Sequence, residues 1–183
     1  MTEPRPQLAD ALKRSALVHG SETLDPAITR VAREITHDLA GTHPVFLTIM
    51  QGGLMFAGRL ALQLELDCEF DYVHASRYRG KTSGGGLLWL ARPHIPLHGR
   101  DVLLVDDILD EGHTLAGIRD WCGTQGARTV RIAVLCEKHH GRTVPGLKAD
   151  YVGVEVPDRY VFGYGMDFHE QGRNLPAIYA LDA

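Results

Sequence analysis

VLLVDDILDEGHT, residues 102–114, runs from an unbroken apolar stretch into a pair of acids, a third acid and a glycine-containing turn. Val102–Val105 does not alternate, and it is bounded by Arg100-Asp101 and by Asp106-Asp107. That pattern fits a strand covered on both faces. His113–Gln125 reads as a helix stopped by Gly126. Backbone N–H groups of a glycine turn at a helix N-terminus have no intrahelical partner, and the helix dipole favours an anion there. Glu111-Gly112-His113-Thr114 therefore suits a phosphate, and Thr114 can add a hydroxyl. Asp106 and Asp107 can accept hydrogen bonds from a sugar diol or support a magnesium ion. Asp110 is offset from both and can act as a base.

The flanking sequence repeats the strand-then-helix texture. Val45–Met50 (VFLTIM) ends at Gln51-Gly52-Gly53 and precedes a helical stretch, Leu54–Leu64. Cys68–His74 alternates like a strand, residues 76–86 (SRYRGKTSGGG) read as a loop, and Leu87–Leu90 is a short apolar run. Val130–Leu135 and Tyr151–Val156 read as further buried strands. The first forty residues read as helical, with Asp25 as N-cap, Pro26 at the first helical position and Gly41 closing the end. The alternation predicts an α/β fold with a mostly parallel central sheet flanked by helices. In such sheets ligands sit beyond the carboxyl ends of the strands, here Gln51-Gly52-Gly53, Asp106-Asp107 and Glu137-Lys138. One domain is expected over residues 1–183, with a helical N-terminal segment (1–44), a core (45–137) and a C-terminal part (138–183).

Composition narrows the function. Lysine plus arginine total 19 against 23 acids, a net charge of −4, which argues against a broad nucleic-acid footprint. No apolar run approaches the ~20 residues of a membrane span, and the N-terminus lacks a signal-peptide pattern. Cys68, Cys122 and Cys136 form an odd set without a CxxC pair, so buried thiols in a reducing cytoplasm are expected rather than disulfides or thiolate zinc. Ala75–Thr82 (ASRYRGKT) comes near a P-loop, but Ser-Gly-Gly-Gly follows it, a poor helix start.

The 102–114 segment resembles the 5-phosphoribosyl-1-pyrophosphate (PRPP) motif of type I phosphoribosyltransferases. Ala149–Asp167 (ADYVGVEVPDRYVFGYGMD) is similar to the purine-binding hood of the hypoxanthine-guanine phosphoribosyltransferases. Together the likeness covers about residues 45–175. It implies a type I phosphoribosyltransferase fold with a small hood over residues 138–183. It also implies purine salvage: Mg2+-dependent transfer from PRPP to hypoxanthine and/or guanine, giving IMP or GMP and pyrophosphate. A homodimer or homotetramer in the cytoplasm is implied as well.

Residue by residue, the resemblance assigns Asp106 and Asp107 to the ribose hydroxyls, with magnesium, although the family usually has Glu first. Asp110 becomes the acid or base at purine N7. Glu111, Gly112, His113 and Thr114 bind the phosphate. Glu111 stands where relatives often have Thr, so its N–H serves while its side chain turns outward. His113 either favours the phosphate or is a plain surface histidine. Met50, Gln51 and Gly52 match the first pyrophosphate loop, with a non-proline cis peptide expected between Met50 and Gln51, and Gln51 stands where relatives often carry Lys. Lys138 donates to purine O6 and N7, and His139-His140 mark where its strand reaches solvent. Adjacent histidines there point apart, so they make no metal site. Tyr160 stacks on the purine, Val161 reads its edge through the backbone, Asp167 lies near C2 with a magnesium role, and Arg173 contacts pyrophosphate. Ser76 or Tyr78 fills the mobile-loop position. Two rivals remain: a xanthine-preferring transferase, and a PRPP-binding regulator without turnover.

Overall fold

The computed structural model describes residues 7–77 and 87–182, excluding the Arg77 side chain. Five strands form the parallel part of the main sheet: β2 (Val45–Met50), β3 (Glu69–Arg77), β5 (Asp101–Leu109), β6 (Thr129–Lys138) and β7 (Tyr151–Val156). A sixth, β4 (Leu87–Ala91), pairs antiparallel with β3, so the order is β4-β3-β2-β5-β6-β7. The expected mostly parallel sheet flanked by helices is the observed one.

Alternate residues of the central strands supply two cores. Phe46, Leu103, Val105, Ala133 and Leu135 face α2 (Ser21–Asp38) and α3 (Leu54–Ala61). Val45, Leu47, Val102, Leu104 and Val134 face α4 (His113–Thr124). Both faces are buried, which is why these strands read as continuous apolar runs. Each fully buried leucine or isoleucine contributes about 1.5–3 kcal/mol relative to exposure.

A second, three-stranded sheet joins the two ends of the chain. β1 (Ser15–His19), β9 (Ile178–Leu181) and β8 (Val161–Phe162) lie in the order β1-β9-β8, all antiparallel. Several local expectations change here. The N-terminal segment is not all helical: a short α1 (Leu8–Lys13) is followed by the strand β1, which finds its partner in β9 across the length of the chain. Helix α2 starts at Ser21 after an extended Gly20, and Pro26 lies inside it. Leu24 is fully buried and continues the apolar stripe of Ile28, Val31 and Ile35. That burial outweighs the hydrogen bond to Glu22 that Pro26 cannot donate. Within 138–183, β7 is an edge strand of the main sheet. Ser76 and Arg77, expected in a loop, are paired strand residues, Ser76 with Leu88 and Arg77 with Leu87. Tyr78 and the rest of that expected loop lie outside the described residues.

Candidate active site

The site opens where β2 and β5 part. Their parallel pairing ends at Thr48–Val105, while β5 stays paired with β6 as far as Leu109–Glu137. Asp106 and Asp107 therefore lie within β5, not after it, on a stretch with no β2 partner. The chain turns away at Met50-Gln51-Gly52, and the Met50–Gln51 peptide is cis. From β2 the chain passes through α3 to β3 on one side, and from β5 through α4 to β6 on the other. The gap is thus the point where strand order reverses, the usual ligand crevice of open α/β sheets.

A polar cavity of about 450 Å³ occupies the gap, walled by Met50, Gln51, Gly52, Asp106, Asp107, Thr114 and Arg173 together with His74 and Glu170. Asp107 is buried. Gly52 leaves room for its carboxylate, since a Cβ there would strike Asp107 Oδ2. Gly165, with φ +109°, lets the hood loop sit on the first loop; a Cβ there would meet the Gly52 carbonyl and the Asp107 side chain. Burial and then the neighbouring Asp107 charge push Asp106 well above the usual carboxylate range. Asp107 is also raised, chiefly by burial. Arg173 crosses the cavity, donating from Nη1 to the Gly165 carbonyl at 2.8 Å and pairing through Nη2 with Asp167 Oδ1 at 2.8 Å.

A second cavity of about 240 Å³ shares the Asp107 wall and is lined by Asp110, Lys138, Tyr160, Val161 and Asp167, with Ile108 and Met166. Lys138 Nζ donates to Asp110 Oδ2 at 2.7 Å, and His140 Nε2 lies 2.6 Å from Asp110 Oδ1. Burial acts to raise the Asp110 carboxyl, but these two contacts outweigh it and hold it below its ordinary value. The Tyr160 hydroxyl donates to the Asp167 carbonyl at 3.0 Å, and its ring meets Phe168 edge-on.

Not every expected residue reaches a cavity wall. Gly112 caps α4 in the left-handed region at φ +76°. Glu111 and His113 are exposed beside it, with His113 Nε2 3.5 Å from the Glu111 carboxylate. Ser76 is an exposed residue of β3. His140 reverses one expectation: its side chain is only 4% exposed, while His139 turns out to Glu155. His74 and Glu170 were not singled out, and His140 was read only as a solvent-facing residue at the end of its strand. The parallel register that sets His74 beside Met50 could have flagged the first; no local pattern marks the other two.

The acid pair fits a hard divalent cation. Two carboxylates of raised pKa, Asp107 buried and Asp106 half-buried, gain from a shared positive charge, and magnesium usually takes one or two carboxylates plus substrate phosphates. Among the described residues no group of three or more His, Cys, Asp or Glu comes together as a metal cage. Asp167 does not join the pair: Arg173 holds its Oδ1, and the Glu170 N–H donates to its Oδ2 at 2.9 Å.

The phosphoribosyl transferase domain family matches residues 20–169. A hypoxanthine-guanine phosphoribosyltransferase of Streptococcus pneumoniae is 33% identical over 172 residues, covering 93% of this chain and 94% of that one. The crystal structure of a hypoxanthine phosphoribosyltransferase from Staphylococcus aureus matches with a TM-score of 0.87 at 27% identity, covering 97% of each chain. One from Bacillus anthracis, a hypoxanthine-guanine phosphoribosyltransferase, matches at 0.81 and 29%, covering 90% of this chain and 95% of that one. The chain belongs to the phosphoribosyltransferase family.

Proposed function

We infer that this chain is a purine-salvage enzyme that transfers the 5-phosphoribosyl group of PRPP to hypoxanthine or guanine, giving IMP or GMP and pyrophosphate. One observation carries the reading: a polar cavity with an acid pair and an arginine adjoins a smaller cavity with a lysine and an aromatic ring, and Asp107 walls both.

In the reaction the bond from ribose C1′ to the pyrophosphate oxygen breaks and a bond from C1′ to the purine ring nitrogen forms. Asp106 and Asp107 hold the ribose hydroxyls. The N-terminus of α4 and the Thr114 hydroxyl receive the 5-phosphate. Backbone donors of the Gln51-Gly52 turn and the Arg173 guanidinium hold the leaving pyrophosphate. Tyr160 covers one purine face, Lys138 donates to the O6 and N7 edge, and Asp110 carries the N7 proton. Magnesium, held by Asp106 and Asp107 with substrate oxygens, would neutralise the pyrophosphate charge.

Incubating the purified protein with PRPP, magnesium and hypoxanthine, guanine or xanthine in turn tests this. Nucleotide is expected from hypoxanthine or guanine. Nucleotide from xanthine alone would change the substrate, and none from any oxopurine would overturn the reading. The reading also places a homodimer or homotetramer in the cytoplasm. Free, buried Cys122 and Cys136 suit a reducing compartment, and Phe70, Tyr72, Leu88 and Leu90 expose apolar surface on β3 and β4. Light scattering returning a monomer mass would remove the oligomer from the reading.

A further inference from the structure

We propose that His140 is a positioning residue that fixes one oxygen of the Asp110 carboxylate, so that the other is presented to the purine. The proposal rests on Asp110 being the group that carries the N7 proton.

Asp110 is gripped at both oxygens, Oδ2 by Lys138 Nζ at 2.7 Å and Oδ1 by His140 Nε2 at 2.6 Å. The two partners differ in what they can do next. Lys138 sits on the wall of the purine cavity, and its three donors suit the O6 and N7 edge. When it turns to the base, Oδ2 is freed. His140 has no such alternative. Its side chain is 4% exposed, and the Arg142 backbone N–H donates to its Nδ1 at 3.1 Å. A ring nitrogen that accepts carries no proton, so the neutral ring bears its proton on Nε2 and donates it to Asp110. Both ring nitrogens are thus occupied, and the tautomer is set by the second bond. The same loop holds the Asp110 backbone, since Thr143 Oγ1 donates to its carbonyl at 3.2 Å. With Oδ1 and the carbonyl both tied, the carboxylate plane cannot turn when Lys138 leaves. Asp107, Asp167 and Tyr160 line the same cavity, and Arg142 with Asp158 and Glu111 lie just outside it.

Two substitutions separate the bonds of the ring. Asparagine at 140 keeps an acceptor for the Arg142 N–H but is too short to reach Asp110. Glutamine carries a donor to the place of Nε2. Steady-state kinetics with PRPP and hypoxanthine should show His140→Asn losing about tenfold or more in kcat with KM for PRPP within about twofold. His140→Gln should recover most of that kcat. Melting temperature and PRPP binding confirm that each variant is folded. If His140→Asn does not fold, His140→Phe, which keeps the ring volume without the donor, takes its place with the same expected loss. Wild-type kcat in the donor-less variant, or equal losses in it and in His140→Gln, would overturn the proposal. Asp110→Asn in the same assay keeps the two levels apart. If Asp110→Asn retains turnover, the proton role of Asp110 fails and the proposal falls with it. If Asp110→Asn is inactive while His140→Asn is not impaired, only the role of His140 fails.

Discussion

Asp106 shows how a single residue is kept at a cost to stability. Its carboxyl is raised by burial and by Asp107, so the folded state holds the proton more tightly than the unfolded chain does. A group raised in this way stabilises the fold below the ordinary carboxylate range, and that contribution is lost as pH rises through the folded value. At neutral pH the pair therefore weighs against folding. Asp106→Asn should raise stability by on the order of 1 kcal/mol, about 2–4 °C in melting temperature, while calorimetry shows weaker PRPP binding. Asp110 is the opposite case, held ionised by its two partners. Asp110→Asn should lower kcat by about a hundredfold or more with PRPP affinity retained, measured by nucleotide formation and titration calorimetry. The acids of 106–110 were legible because they are neighbours in one short string. His140 was not, because its meaning lies in a contact to a residue on another strand, and its exposed neighbour His139 disguised it.

At the scale of elements, β5 carries both the core and the site. Leu103 and Leu104 point to opposite cores, and each is fully buried. Leu104→Ala should cost about 2–5 kcal/mol, read from denaturant unfolding. The strand is also anchored at its start. Asp101, buried, accepts from Arg128 Nε at 2.9 Å and Thr129 Oγ1 at 2.8 Å, besides a close contact from Arg128 Nη2. The Arg128 bond, working against burial, holds Asp101 below the usual range. Asp71 is lowered too: burial acts to raise it, but the N–H groups of Ile95, Tyr72 and His94 outweigh that. Groups lowered in this way stabilise the fold above the unfolded carboxylate pKa, and that contribution is lost as pH falls through the folded value. Asp101→Asn should therefore lower the melting temperature at neutral pH, and the gap to the parent protein should close on acidification. The strands β2, β5, β6 and β7 were legible as apolar runs. β1, β8 and β9 were not, because they are short and their pairing partners lie at the far end of the chain or in the hood.

At the scale of the molecule, one small divergence creates the site. β5 runs on past its last β2 partner, and the hood loop lies against this opening, where a Cβ on Gly165 would meet the Gly52 carbonyl and the Asp107 side chain. Ligands that bind this arrangement, which exists only in the folded chain, should stabilise the whole fold. PRPP with magnesium at about 100 times Kd should add ~2.7 kcal/mol to unfolding stability, and chelating the metal should remove much of the rise in melting temperature. The sequence by itself determined the parallel α/β architecture, the acid string on its central strand and the purine-hood pattern. The first two are matters of periodicity and adjacency, written along the chain; the hood pattern was legible by its resemblance to a known family. The tertiary structure alone decided that Arg173 crosses to the acid pair, that Asp167 is taken by Arg173, and that His140 turns inward to Asp110. The Arg173 and His140 contacts to the acids of β5 join segments tens of residues apart, and the pairing of Asp167 with Arg173, six residues along the chain, depends on how the hood loop folds back; their geometry follows from how two sheets and their helices pack, which no local pattern encodes.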